Sequence, residues 1–297
     1  MSEWKGSVST ERYRIPVESV EEAVSFFQGL GMKVNRSGAA VHLKKERCSV
    51  SIYSNGIAIL QCSGVMRKVS EDYLLSLPFS YRDYALRELG VKLPEKWTGT
   101  DEAGKGDYFG PLVVSAVCIS EEDAEILYRR GLVDSKRLAP SVLEKYASMV
   151  RELIPPSHRE TMIISPQRYN ELHASMGNVN TILAWAHAKL ISTLAAKTRV
   201  SMAIVDRFAA GATEETMRKA TGLEVIMIEK GEREMGVAAA AVLSVSAFRS
   251  ALFSLSEKHG IRLVPGAGEE AKSLYRQLRE TKGAEMLRQV AKTDFTP

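Results

Sequence analysis

The sequence predicts an α/β protein in two parts. A small α+β part covers residues 1–77, a larger alternating α/β part covers 98–297, and 78–97 connect them. Three observations carry this. The first third reads strand, helix, several short strands, helix. From residue 112 onward, apolar β-branched runs alternate with stretches of helical periodicity, as in a sheet with crossover helices. And 297 residues are long for one domain but comfortable for two.

Residues 7–17 alternate polar and apolar, as a half-buried strand does. Ser19 followed by Glu22 is a capping-box signature. It opens a predicted helix with Val20, Val24, Phe27 and Leu30 on one face and Gly31 as its C-terminal cap. Strand-like runs follow at 33–36, 40–44, 49–53 and 57–62. Ser37-Gly38 and Ser54-Asn55-Gly56 supply turns, and Asn-Gly is a strong hairpin signal. A second helix is expected over 71–77. Lys44, Lys45, Arg47, Arg67 and Lys68 flank these strands and suit either a solvated sheet face or contacts to an anion. The connector holds Pro78 and Pro94, with a short helix at 81–89.

In the larger part, 112–119 reads as a buried strand and is followed by an acidic helix start, Glu121-Glu122-Asp123. Helices are expected at 141–153, 181–197 and 213–221, and strands at 162–165, 201–205 and 224–228. A long Ala-rich helix over 236–259 has small residues for close packing. Weaker helices follow at 269–281 and 283–292.

Composition narrows the function classes. Hydrophobic residues make up 45% and charged residues 26%, ordinary globular values. No apolar run reads as long enough to span a bilayer, and Met1-Ser2-Glu3-Trp4-Lys5 has no signal-peptide pattern. Cys48, Cys62 and Cys118 lie in strand-like runs without metal-ligand spacing. They read as buried free thiols, which suits a reducing cytoplasm. Residues 1–98 hold 14 Lys and Arg against 11 Asp and Glu, and the remainder holds 26 against 25. The larger part, nearly neutral and rich in acids, would need metal and a helper domain to hold a polyanion.

The chemistry gathers around Gly99-Thr100-Asp101-Glu102-Ala103-Gly104-Lys105-Gly106-Asp107-Tyr108-Phe109-Gly110-Pro111-Leu112. An acid pair entering a sheet is costly to bury unless a metal or base compensates it. Glycines beside it let backbone approach a ligand. A charged, solvated turn before a core strand would look the same. Asp206 ends the run at 201–205, and Glu232 follows the run at 224–228. Asp206 alone also suits a turn or cap, and Glu232 has Glu234 two residues away. Acids at strand ends of one sheet can converge on metal, and hard oxygen ligands suit Mg²⁺.

Thr100 through Pro111 resembles the signature of ribonuclease HIII, a type 2 ribonuclease H. The plain type 2 enzyme, ribonuclease HII, carries Gly-Arg-Gly where this chain has Gly104-Lys105-Gly106. The resemblance implies a ribonuclease H-like mixed-sheet catalytic domain behind a TATA-box-binding-protein-like α+β domain. It implies an endoribonuclease that cuts the RNA strand of RNA–DNA hybrids, leaving 5′-phosphate and 3′-hydroxyl ends. By the family's motifs, Asp101, Glu102, Asp206 and Glu232 would hold two Mg²⁺, with Mn²⁺ as the alternative, one ion activating water and the other stabilising the departing 3′ oxygen. Lys230-Gly231-Glu232 stands in for a Lys-Ala-Glu motif one residue short of the usual register, with Glu234 as the fallback. Gly104, Lys105 and Gly106 would contact ribose 2′-hydroxyls and phosphate, and Ser135 and Lys136, in Asp134-Ser135-Lys136, would line the site. Asn178, Asn180, Trp185 and His187 resemble a family helix. A monomer without membrane contact is expected. Incision at single ribonucleotides in duplex DNA, a non-catalytic nucleic-acid-binding protein on a nuclease fold, and a small-substrate metalloenzyme are the other readings.

Overall fold

The computed structural model describes residues 9–132 and 138–295. The chain divides into two compact units. One runs to Tyr84 and takes in Ala124–Leu132; the other comprises Ala85–Asp123 and the rest of the chain.

The first unit contains β1 (Ser9–Arg14), α1 (Val20–Gly29), β2 (Lys33–Ser37), β3 (Ala40–Lys45), β4 (Cys48–Tyr53), β5 (Ile57–Cys62), α2 (Gly64–Ser76) and α3 (Tyr81–Tyr84). Its strands form one antiparallel sheet in the order β1-β5-β4-β3-β2. This is the expected small α+β, TATA-box-binding-protein-like domain. Alternation along each strand sends Tyr13, Leu43, Val50, Ile52 and Leu60 into a core with Phe27 and Leu74. The opposite face is polar. Thr10, Gln61, Ser49, Lys44 and Lys33 form one row across all five strands. Within this unit Tyr128 stacks on Phe79 at 4.6 Å and Arg129 donates to the Leu77 carbonyl.

Several expectations change here. Ser19 does precede α1, but its side chain makes no capping bond, because a 3-10 turn over Val17–Ser19 leads into the helix. Helix α2 begins at Gly64, seven residues before the expected start; its exposed Val65 and Val69 hide the amphipathic pattern there. Cys48 and Cys62 are not free thiols. The register Ser49↔Gln61 sets them opposite each other on β4 and β5, Cα atoms 4.2 Å apart, and their sulfurs are joined. Cys118 is free and buried.

The second unit is built on β6 (Lys96–Ala103), β7 (Leu112–Ser120), β8 (Arg159–Ile164), β9 (Met202–Asp206) and β10 (Glu224–Ile228). Its helices are α4 (Glu121–Arg129), whose later residues group with the first unit, α5 (Pro140–Leu153), α6 (Pro166–Met176), α7 (Val179–Thr198), α8 (Ala212–Thr221), α9 (Met235–His259) and α10 (Glu269–Val290). The order β10-β9-β6-β7-β8 makes a mixed sheet, with β6, β9 and β10 parallel and β7 antiparallel to β6 and β8. This is the ribonuclease H-like sheet. Helix α7 packs Ile182, Leu183, Ala186 and Leu190 on one face, against Leu112, Val114 and Ala116 of β7. Helix α9 takes the other face, where Phe248 meets Ala103 and Val113.

Three further differences belong to this unit. The acid pair does not precede the sheet but lies inside its central strand. Both faces of β6 are covered, so from Trp97 to Ala103 it is buried throughout and shows no polar–apolar alternation. Helix α6 was not anticipated, although Ser165 caps it and Pro166 opens it. And α9 is long and apolar enough to cross a membrane, contrary to the expectation that no run is. It is the core helix of this unit, with most of its length buried against the sheet and α5. The Gly283 break (φ 79°) separates the two C-terminal helical stretches within α10, as expected.

Candidate active site

The parallel trio β6, β9 and β10 ends at one edge of the sheet. Thr100 pairs with Val205 and Ile228 with Asp206, so Asp101, Asp206 and the end of β10 stand level. The chain then turns back through Lys230 in a left-handed conformation (φ 54°) into a 3-10 turn over Gly231–Arg233. There the Gly231 N–H donates to Asp206 Oδ1 at 2.8 Å. A Cβ on Gly231 would stand 2.8 Å from Asp206 Cα. Glycine in place of the motif's alanine therefore permits this close approach, and it brings Glu232 to the Asp206 strand end.

Asp101 and Glu102 are neighbours in a strand and so point to opposite faces. Asp101 shares the α9 side with Gly99 and Ala103; it is 1% exposed, and its Oδ1 accepts the Glu102 N–H at 2.7 Å. Glu102 lies on the α7 side with Thr100. Its Oε2 is buried without a hydrogen-bond partner and stands 3.4 Å from His187 Nε2. Among the described residues, no three of His, Cys, Asp and Glu stand close enough to hold a metal ion.

Glu234, the alternative fourth acid, has a different task. It is fully buried at the N-cap of α9. Its Oε1 accepts from Trp97 Nε1 (2.9 Å) and the Gly236 N–H (3.0 Å), and its Oε2 accepts from the Val237 N–H (2.9 Å). Both oxygens are spent on fixing the helix start to β6. Glu234→Gln is accordingly expected to lower stability by about 1–2 kcal/mol. Glu232→Gln should keep the parent's melting temperature and lose metal-dependent turnover by tens of fold or more. Melting curves and turnover measured on both variants check this; loss of turnover in Glu234→Gln at unchanged melting temperature would return the role to Glu234.

The loop after β6 is held from several sides. Gly104 is left-handed (φ 86°), and a Cβ there would strike the Pro111 carbonyl at 2.3 Å. Lys105 donates to the Phe208 carbonyl at 2.8 Å and lies over the Phe208 ring, while Gly106 faces open space. Behind the loop, fully buried Lys292 donates from Nζ to the carbonyls of Asp107 (2.9 Å) and Gly110 (3.0 Å), and its N–H donates to the Tyr108 carbonyl (2.9 Å). Sequence reasoning missed Lys292, which looks like an ordinary lysine near the C-terminus. Ser135 and Lys136 lie outside the described residues. Of the helix that resembled the family, Asn178 caps α7, Trp185 is exposed, and His187 is buried against β6.

Burial pushes the Lys292 ammonium down to about 8, against the pull of Asp107 and Asp294. A lysine whose folded pKa is depressed destabilises the fold while it is charged and relieves that cost as pH rises from the folded to the unfolded value. Lys292 should therefore contribute a rise of about 2 kcal/mol between pH 8 and 10. The buried Cys118 thiol, pushed upward by desolvation, opposes this within the same window, and buried Tyr13 and Tyr169, pushed upward likewise, oppose it as pH nears 10 and above. Denaturant melts at pH 8 and 10 should show the parent gaining about 2 kcal/mol relative to Lys292→Met, a difference in which the thiol and phenol contributions cancel.

Comparison with known proteins shows the family. The family model described as Ribonuclease HII matches residues 98–297. Ribonuclease HIII of Chlamydia abortus is 32% identical over 256 residues, 83% of this chain and 82% of that one. The chain belongs to the ribonuclease HIII family. A Chlamydia pneumoniae ribonuclease HIII is 38% identical over 206 residues, covering 66% of this chain and 67% of its own. The crystal structure of Bst-RNase HIII in complex with Mn2+ matches 97% of this chain and 96% of that chain with TM-score 0.63; at 22% identity this is likeness of fold. As a ribonuclease HIII family member the chain is a ribonuclease H, an endoribonuclease acting on the RNA strand of RNA–DNA hybrids.

Proposed function

We propose that this chain hydrolyses the hybrid's RNA strand by two-metal-ion catalysis, with Asp101, Glu102, Asp206 and Glu232 as the metal-binding acids and 5′-phosphate and 3′-hydroxyl ends as products. The observation that carries the reading is the alignment of strand ends: Thr100↔Val205 and Ile228↔Asp206 bring three acid-bearing segments to one edge. The residues fit hard divalent cations. All four candidates are carboxylates, and Glu102 Oε2 is a buried oxygen without a hydrogen-bond partner. When bound, Mg²⁺ or Mn²⁺ supplies charge stabilisation to the attacking and leaving oxygens. Gly106 leaves open space in which a ribose can approach the backbone, and Lys105, half-buried and anchored on Phe208, offers a cation to a phosphate. Ser135 and Lys136 complete the substrate contacts in this reading.

We assign the chemistry to residues 98–297, substrate holding to 1–77, and the link to 78–97. The polar face of the N-terminal sheet supports this division. Lys33 and Lys44 stand directly opposite each other there, a like-charge pair that an anion relieves, and no acid occupies that face of the five strands. We further propose a monomer that works in the cytoplasm without membrane contact.

The test is a labelled RNA–DNA hybrid incubated with and without Mg²⁺ or Mn²⁺, beside a duplex carrying one ribonucleotide, with end-group analysis of the products. Metal-dependent cleavage within the RNA strand, leaving 5′-phosphates, supports the reading. Cutting confined to the single-ribonucleotide duplex would instead support ribonuclease HII-like incision, and hybrid binding without cleavage would mean a decayed nuclease.

A further inference from the structure

Helix α7 places one ionisable side chain against the central strand. His187 is completely buried, its ring stacked on Phe208 with centroids 5.0 Å apart and planes 10° from parallel. Its Nδ1 is hydrogen-bonded to Thr100 Oγ1. Its Nε2 is aimed at Glu102 Oε2, 3.4 Å away, and neither of these buried atoms has a hydrogen-bond partner. Thr100 and Glu102 are two residues apart on β6 and so face the same side, and the imidazole bridges them.

We infer that His187 is a positioning residue that orients the Glu102 carboxylate for metal binding. The inference rests on the reading of Glu102 as a ligand, and it adds the group that aims it. When the Thr100 hydroxyl donates to Nδ1, the ring proton resides on Nε2 and points at the carboxylate. A gap of 3.4 Å is a few tenths of an ångström beyond a good N–H···O bond. A small rotation of the Glu102 side chain closes it and turns the other carboxylate oxygen toward the strand edge. Leaving two buried polar atoms facing each other unbonded costs about 1–3 kcal/mol per group. Closing the contact on metal binding recovers that cost. Stacking on Phe208 keeps the ring plane fixed, and the Phe208 carbonyl in turn anchors Lys105 at 2.8 Å, so one aromatic residue supports both the acid and the substrate loop. Asp101, on the opposite face of the strand, receives nothing from this arrangement. Outer partners of this kind change metal affinity or activity by about 10–100-fold when removed.

The experiment compares the full-length protein with His187→Ala, His187→Gln and Thr100→Val. Mn²⁺ binding is measured calorimetrically without substrate, and hybrid cleavage is measured at saturating metal. His187→Ala should bind Mn²⁺ about 10–100-fold more weakly and lose kcat, with KM for hybrid unchanged within about twofold. His187→Gln, whose amide N–H can reach the same carboxylate, should recover most of the metal affinity. Thr100→Val keeps the core volume but frees the ring tautomer, and should weaken Mn²⁺ binding in the same direction; it carries the test if His187→Ala does not fold. Parent-like Mn²⁺ affinity in Thr100→Val and His187→Ala, or a loss in His187→Ala that Gln does not repair, overturns the positioning role. A parent protein that binds no Mn²⁺ overturns the reading of the site itself.

Discussion

Asp101→Asn is expected to cut hybrid cleavage by about a thousand-fold or more while leaving hybrid binding and stability close to the parent's. The magnitude is that of losing several kcal/mol of charge stabilisation at the reacting phosphate. Asp101 is the acid at the end of the central strand on the α9 face, level with Asp206 across the ladder. The carboxamide has nearly the same shape, and its single oxygen can still accept the Glu102 N–H that Oδ1 accepts at 2.7 Å. It lacks the charge a divalent cation needs. Single-turnover cleavage, hybrid binding in Ca²⁺ and a melting curve separate the effects. A variant that keeps more than about a tenth of the parent's rate would remove Asp101 from the mechanism.

Gly99→Ala should be damaging by a different route. A Cβ at Gly99 would lie 2.0 Å from the Gly236 carbonyl carbon and 2.2 Å from the Val237 nitrogen. Both are backbone atoms, so no side-chain rotation relieves the clash. Either α9 lifts from β6, or the strand shifts with Asp101 and Glu102 in it. Overpacking of this severity costs about 3 kcal/mol or more. It would also break the Glu234 cap, whose bonds to Trp97, Gly236 and Val237 depend on that approach. Gly104→Ala meets a backbone carbonyl at 2.3 Å in a residue at φ 86° and is expected to be damaging as well. A melting temperature for Gly99→Ala within a degree or two of the parent would show that the helix seats elsewhere.

Much of this was legible in the residues. Every strand of the N-terminal sheet was visible, because one face is buried and the other wet and the alternation marks the difference. Glycine and asparagine turns set its hairpin boundaries. The motif around Asp101 pointed to the family, because its acids and glycines stand together in one short stretch of sequence.

Other features depended on contacts between distant parts of the chain. A strand buried on both faces shows no period, so β6 itself went unread although it carries the two acids. Glu232 and Glu234 are two residues apart and chemically equal; Glu234 accepts from the N–H groups of Gly236 and Val237 at the start of α9, and Trp97, 137 positions earlier, ties that cap to β6. His187 gave no local sign of facing Glu102, and Lys292 none of holding the carbonyls of Asp107 and Gly110. The sequence determined which groups the site could use and roughly which segments form strands and helices. Tertiary structure decided that Glu234 is a buried cap fixed to the central strand, because the Trp97 indole that holds it there is brought to it by the fold alone.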